Sequence, residues 1–385
     1  MTEKLRLSKP MKTLFLLSAA GALCLGILCY PQSSAQGARD GLTLCAGVVI
    51  PSLFPFVVLA CFLLNSGLGE IISRPFSPLT RHVFKLPSSC GCVILMSLLG
   101  GYPVGAKMIA GLLEQEKIDR KEAARMLCFC VNAGPAFLIG TVGLSMLHST
   151  ALGVILLISQ ILSSLLIGAF LGLFHKTPPK TKAPQNGSQS LPVAFVNSVC
   201  AGASSMFTVS AFIVFLSAVT SLLTASGFMD FLCQKLSALA GSQVVTPLVY
   251  GFLEVTRGCL QSAQNDVLTG FTLCSILVSF SSVSIVCQVV ALIKDHRLNL
   301  VPFLLSRLAH AAITGVIAHL ILRAVPLALI SAVFKAPPRL EISYGSIPAA
   351  VCILILCAIL LLSASPGGGI RKRKERGKPA ANVVK

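Results

Sequence analysis

The stretch SCGCVILMSLLGGYPVGAK, Ser89–Lys107, decides the fold class. Its apolar run, Ser89–Gly101, has 13 residues, or about 20 Å of helix against a hydrocarbon core of about 30 Å. The run is too short to cross a bilayer. It ends on Gly100-Gly101, and a second short segment starts at Tyr102-Pro103. The pattern predicts a hairpin that enters the membrane and leaves on the same side, its non-helical tip buried in protein or facing a wet cavity. Two short helices lying at the membrane interface are the alternative. The same arrangement recurs at VVTPLVYGFLEV, Val244–Val255, with Thr256-Arg257-Gly258 as its polar break.

The rest of the composition agrees with a membrane environment. The chain has 385 residues, of which 55% are hydrophobic and only 11% charged. A soluble domain devotes about a quarter of its residues to charge, so a soluble enzyme is excluded. The formal charge is +18, yet the bases sit between long apolar runs rather than along a basic stripe, which excludes a nucleic-acid partner.

Eight runs are long enough to span: Met11–Tyr30, Gly41–Leu64, Ala123–Leu147, Thr150–Phe174, Pro192–Thr224, Val267–Ile293, Leu300–Leu322 and Ile347–Leu362. The first follows Lys4, Arg6, Lys9 and Lys12 as a signal peptide would, but its apolar stretch is long for one and favours an uncleaved helix. With the N-terminus inside, the cytoplasmic side receives four bases at the N-terminus, three in Ser73–Lys85 and four around Lys117–Arg125. Three more follow in His175–Lys182, two at Lys294 and Arg297, and seven in the tail, so 23 of the 31 bases lie on one side. The positive-inside rule therefore predicts cytoplasmic N- and C-termini in the cell membrane.

The order of elements repeats. Helix, amphipathic stretch, short pair, helix and helix occupy 41–174, and the same order occupies 192–325. Ser66-Gly67-Leu68-Gly69-Glu70 echoes Ser226-Gly227-Phe228-Met229-Asp230. Three crossings in each unit make the second upside down relative to the first. The expected fold is an all-α integral membrane protein of about eight transmembrane helices plus two re-entrant helical hairpins in two inverted repeats. Around them lie an N-terminal helix (1–40), a cytoplasmic linker (175–191), a C-terminal helical region (326–364) and a basic tail (365–385). Inverted repeats with broken helices are the architecture of secondary transporters, with the site near the midplane where the breaks meet.

Polar residues inside the apolar runs are the site candidates. Glu254 is the foremost, since a carboxylate at membrane depth is costly unless paired or hydrated. Arg257, three residues on, offers a partner on the same helical face that would neutralise it, and Thr256 lies between them. Ser281, Ser284 and Gln288 are spaced as one helical face, with Ser282 in a break; local capping is the competing reading of these hydroxyls. Asn132 and Pro135 take the corresponding place in the first unit. Pro135 removes a backbone donor and frees a carbonyl one turn back, which with the Asn amide makes an oxygen-rich spot for a cation or a ligand hydroxyl; a packing kink is the alternative. Tyr102 and Lys107 flank the first hairpin tip, Lys107 being placed to snorkel. Arg307, His310 and Thr314 share a helical face that suits an anionic group or a proton relay, or pairing with headgroups or Glu254. The fifteen cysteines read as packing residues, and no catalytic motif is present, so an enzyme is not expected.

Four motifs carry a family resemblance: LLGGYPVGAKM (Leu98–Met108), CFCVNAGPAFLIG (Cys128–Gly140), GFLEVTRG (Gly251–Gly258) and SFSSVSIVCQ (Ser279–Gln288). Together, over roughly Gly41 to Arg323, they resemble the sporulation integral membrane proteins of the YlbJ type, which carry nucleoside-recognition, or Gate, domains. SFSSVSI is also similar to the Asn-Phe-Ser-Ser-Ile-Gly break of concentrative nucleoside transporters, with Ser279 in place of the Asn. GFLEVT is similar to their Gly-x-Thr-Glu hairpin, with Glu254 preceding the Thr. The resemblance implies a sporulation-associated transporter or channel-like carrier of a small polar, nucleoside-like solute. The alternative is a non-transporting scaffold or signalling component of spore formation. The lipid bilayer and a small solute are the expected partners. No cofactor is expected; a coupling cation or proton and a homo-oligomer are left open.

Overall fold

A computed structural model of the protein describes residues 9–175 and 189–324. All of these fall in the first of the chain's two units, Met1–Arg339 and Leu340–Lys385. The predicted span Ile347–Leu362, the basic tail and most of the linker lie outside the described residues.

Two left-handed glycines mark equivalent corners. Gly67 and Gly227 both have φ near 74°, a conformation that a residue without Cβ adopts at no steric cost. Each follows a 35-residue helix, α2 (Pro31–Asn65) or α10 (Leu191–Ala225), and each begins a shorter helix. These are the glycines of the two echoing Ser-Gly pairs. A 35-residue helix is about 52 Å long and exceeds the hydrocarbon thickness, so it either tilts or extends into the headgroups.

Helix α1 (Lys9–Cys29) precedes α2, which has a π-wound turn at Cys45–Val49. The short α3 (Leu68–Ser73) and α4 (Ser77–His82) lead to paired helices α5 (Cys90–Leu99) and α6 (Tyr102–Glu114), turning at Gly100-Gly101. Helices α7 (Arg120–Leu127) and the π-wound α8 (Ala136–Met146) are separated by a non-helical segment, and α9 (Thr150–Leu173) follows. After α10 come the amphipathic α11 (Phe228–Ala240) and the paired α12 (Ser242–Leu253) and α13 (Val255–Ser262). Helices α14 (Val267–Phe280) and α15 (Val283–Ile293) are separated by Ser281-Ser282, and α16 (Val301–Ala324) closes the described chain. Every regular element among the described residues is helical.

Local signals start several of these helices. Asp119 and Glu122 form a capping box on α7. Asp266 caps α14 by accepting the Thr269 backbone N–H at 3.0 Å, and that bond holds its carboxyl below the ordinary carboxylate range.

Among the described residues, five helical segments are long and apolar enough to cross a membrane: Pro31–Asn65, Thr150–Leu173, Leu191–Ala225, Val267–His296 and Val301–Ala324. One of the eight expected spans is not a single helix. Ala123–Leu147 is not one continuous helix, because Asn132-Ala133-Gly134-Pro135 interrupts it and leaves Cys128–Gly134 without helical structure.

The first hairpin lies directly on this interruption. A Cβ built on Gly105 of α6 would sit 1.8 Å from the Cys130 carbonyl oxygen, so only glycine permits the approach. At the tip, Gly134 faces the Gly101 backbone, where an added Cβ would meet the Gly101 nitrogen at 3.1 Å.

Candidate functional site: a cleft between two hairpin tips and two helix breaks

Breaking a buried helix frees carbonyls that must find other donors. At the first break Pro135 has no N–H, so the Val131 carbonyl loses its helical partner. The guanidinium of Arg307, from α16, takes its place. Nη1 donates to Val131 O at 2.7 Å, and Nη2 donates to the Cys128 carbonyl. The Phe129 carbonyl accepts from Asn132 Nδ2 at 2.8 Å and from Ser164 Oγ at 2.6 Å. At the second break the chain leaves α14 after Phe280, and Ser281 turns left-handed at φ 61°. The Val278 carbonyl, which Ser282 N–H would have met in a continuous helix, accepts the Tyr102 hydroxyl at 2.6 Å. Tyr102 is the first residue of α6, so the first hairpin tip is tied to the second interrupted helix.

Tyr102→Phe removes the only donor to this carbonyl among the described residues and is expected to cost about 1 to 2 kcal/mol. Thermal unfolding in detergent checks it, and an unchanged melting temperature would count against the tie.

Glu254 stands between α12 and α13 with an extended backbone, so the second tip breaks there and not at Thr256-Arg257-Gly258, which are helical in α13. Its carboxylate caps α13, accepting from the Thr256 N–H at 3.0 Å and the Arg257 N–H at 2.8 Å. The residue is 5% exposed. Neutralisation by the Arg257 side chain is overturned by this geometry. The guanidinium turns away, donating from Nη2 to Ser221 Oγ at 2.7 Å and lying 3.8 Å from Asp40 Oδ2. The capping bonds instead satisfy the carboxylate with backbone dipoles at a helix N-terminus, where negative charge is favoured.

These elements converge on one cleft. Gly101 and Tyr102 of the first tip, Gly134 of the first break, Glu254 and Thr256 of the second tip, and Ser284 and Gln288 of α15 all line it. Apolar side chains such as Leu53, Phe137 and Ile213 complete the wall. A mostly apolar wall with a few convergent polar groups is the usual make-up of a small-molecule site. Glu254 and Thr256 also line an adjoining opening together with Asp40 and Arg257.

The remaining candidates are placed differently. Arg307, Asn132 and Pro135 gather at the first break rather than on the cleft wall, and Arg307 does not pair with Glu254. Ser281 and Ser282 are buried in the second break, their hydroxyls without a protein partner, as is that of Ser279. The single helical face proposed for Ser281, Ser284 and Gln288 is corrected. Ser281 lies outside both helices, while Gln288 Nε2 donates to Ser284 Oγ at 3.3 Å within α15. On α16, His310 Nδ1 accepts from Arg307 Nη1 at 3.3 Å, which puts the ring proton on Nε2, facing the Gln160 carbonyl at 3.5 Å. Thr314 meets Ser163 at 2.6 Å. Lys107 is half-buried. His319 lies 3.2 Å from the Thr272 hydroxyl.

Gln160, Ser163 and Ser164 of α9 face α16 and the first break, and sequence reading passed them over. Their spacing, i, i+3 and i+4 inside an otherwise apolar span, was the available signal.

The chain is 26% identical over 344 residues to the sporulation integral membrane protein YlbJ of Bacillus subtilis (strain 168), covering 82% of this chain and 84% of that protein. No family model matches the chain, and no solved structure matches it significantly. The YlbJ-type resemblance thus extends over most of both chains, and the five apolar helical segments make this one an integral membrane protein as well.

Proposed function

We propose that this protein is a secondary transporter or channel-like carrier of a small polar solute, nucleoside-like in class, and that it acts in spore formation. The observation that carries the reading is the cleft itself. Both hairpin tips and residues next to both helix breaks border it, and substrate sites in secondary transporters are built from such discontinuous elements. In this reading α2–α9 and α10–α16 are inverted repeats. Each has one long helix, one interrupted crossing and one further crossing around a re-entrant hairpin, so an odd number of crossings turns the second unit over. The excess of bases on one side gives cytoplasmic termini. A crossing by α1 brings the number among the described residues to seven.

Glu254, Thr256, Ser284, Gln288 and Tyr102 form the solute-facing polar set. Both Glu254 oxygens accept α13 amides, so the carboxylate is held in one orientation and is preorganised to meet a solute hydroxyl, an amine or a coupling cation. Transport is tested in proteoliposomes with labelled nucleosides and other small polar solutes. Uptake or exchange above that of protein-free vesicles, lost in Glu254→Ala, is expected. Folded protein that moves none of them would overturn the reading in favour of a scaffold or signalling component. That rival also predicts that Glu254→Gln and Asn132→Ala leave sporulation intact, while changes on the lipid-facing or loop surfaces abolish it.

A further inference from the structure

We infer that Arg307 is a tethered cation that occupies the carbonyl seat of the first helix break, in the position a dissociable metal ion would otherwise take. The inference rests on the geometry of the break alone and holds whether or not a solute crosses through the cleft.

The break offers the oxygen-rich spot expected of Asn132 and Pro135. The Cys128 and Val131 carbonyls point to one place, and the Asn132 side-chain carbonyl, on a residue 1% exposed, has no protein partner. Such a set of neutral oxygens suits a hard monovalent cation. What fills it is the guanidinium of Arg307, itself 1% exposed, with Nη1 on Val131 O and Nη2 on Cys128 O. The ion pairs formed among the described residues involve Lys117, Arg257 and His296, not Arg307. Its charge is met by backbone dipoles and by the Phe303 ring, whose centroid lies 5.2 Å away. A buried charge with no carboxylate is costly to keep. Its planar fork holds two donor nitrogens in a fixed geometry on the two carbonyls, where an ammonium would be a compact point charge on a flexible stem. The break is thereby held permanently charged by a residue that cannot leave, and a coupling cation, if one is used, has to bind elsewhere, nearer Glu254.

The test reads the break locally. Cys128 sits on it, is 3% exposed, and serves as reporter in a background stripped of other reactive cysteines. Its alkylation rate is measured in sodium chloride and in N-methylglucamine chloride of equal strength. The wild type is expected to react slowly and equally in both. Arg307→Ala is expected to react at least about tenfold faster in glucamine, from the loss of two charge-assisted bonds, and sodium is expected to slow it again by refilling the seat. Arg307→Lys keeps a charge and should fall between the two, insensitive to sodium; it carries the test if Arg307→Ala does not fold. Wild-type protection by sodium would overturn the inference, as would slow labelling of Arg307→Ala in glucamine. So would fast labelling of that variant which sodium leaves unchanged, or sodium protection of Arg307→Lys.

Discussion

Gly105→Ala is expected to destabilise the protein more than any other single change considered, by about 3 kcal/mol or more. The added Cβ would lie 1.8 Å from the Cys130 carbonyl oxygen. That neighbour is backbone rather than the free end of a side chain. It belongs to the break whose adjoining carbonyls hold Arg307 and Asn132, so it cannot yield without disturbing those bonds. Moving α6 outward instead would pull Tyr102 off the Val278 carbonyl. With total stabilities of about 5 to 15 kcal/mol, such a loss removes a large share of the margin. The check is thermal unfolding in detergent, and wild-type melting of Gly105→Ala would mean that the hairpin does not press on the break.

Glu254 is where stability and function separate. Glu254→Ala removes both acceptors at the start of α13 and leaves the Thr256 and Arg257 amides uncapped, at a cost of about 2 kcal/mol. Glu254→Gln keeps one acceptor oxygen and should lose about 1 kcal/mol or less, but it removes the charge that borders the cleft. Under the proposed function both variants lose solute movement, while only Glu254→Ala shows a marked fall in melting temperature. Full transport by Glu254→Gln would confine the residue to its capping role.

The paired short helices are legible in the sequence because their apolar runs are too short to span, and the first turns at Gly100-Gly101 as its glycines indicate; the second breaks at Glu254, because that carboxylate caps α13, and the polar Thr256-Arg257-Gly258 are helical. The second break is legible too, since Phe280-Ser281-Ser282 interrupts an apolar run with adjacent hydroxyls. The first is only half legible. Asn132 and Pro135 stand out, yet hydropathy from Ala123 to Leu147 stays high across the gap, because apolar content does not record whether the backbone is helical. Partners are the least legible layer. Reasoning by helical spacing joins Glu254 to Arg257, but the helix begins at Glu254, so its carboxylate turns inward to the first amides. Arg257 reaches Asp40 and Ser221 on α2 and α10. Arg307 likewise satisfies carbonyls far away in sequence, which no local periodicity predicts.

The central claim is that the two hairpins belong to oppositely oriented halves and meet at one cleft. Single cysteines at Lys121, just past the first hairpin, and at Gln264, just past the second, are both at exposed positions. The most direct measurement labels each with a membrane-impermeant thiol reagent added to one side of sealed vesicles, in a background without other reactive cysteines. Lys121→Cys should label only from the cytoplasmic side and Gln264→Cys only from the opposite side. Labelling of both from the same side would contradict the inverted arrangement and the opposed hairpins built on it.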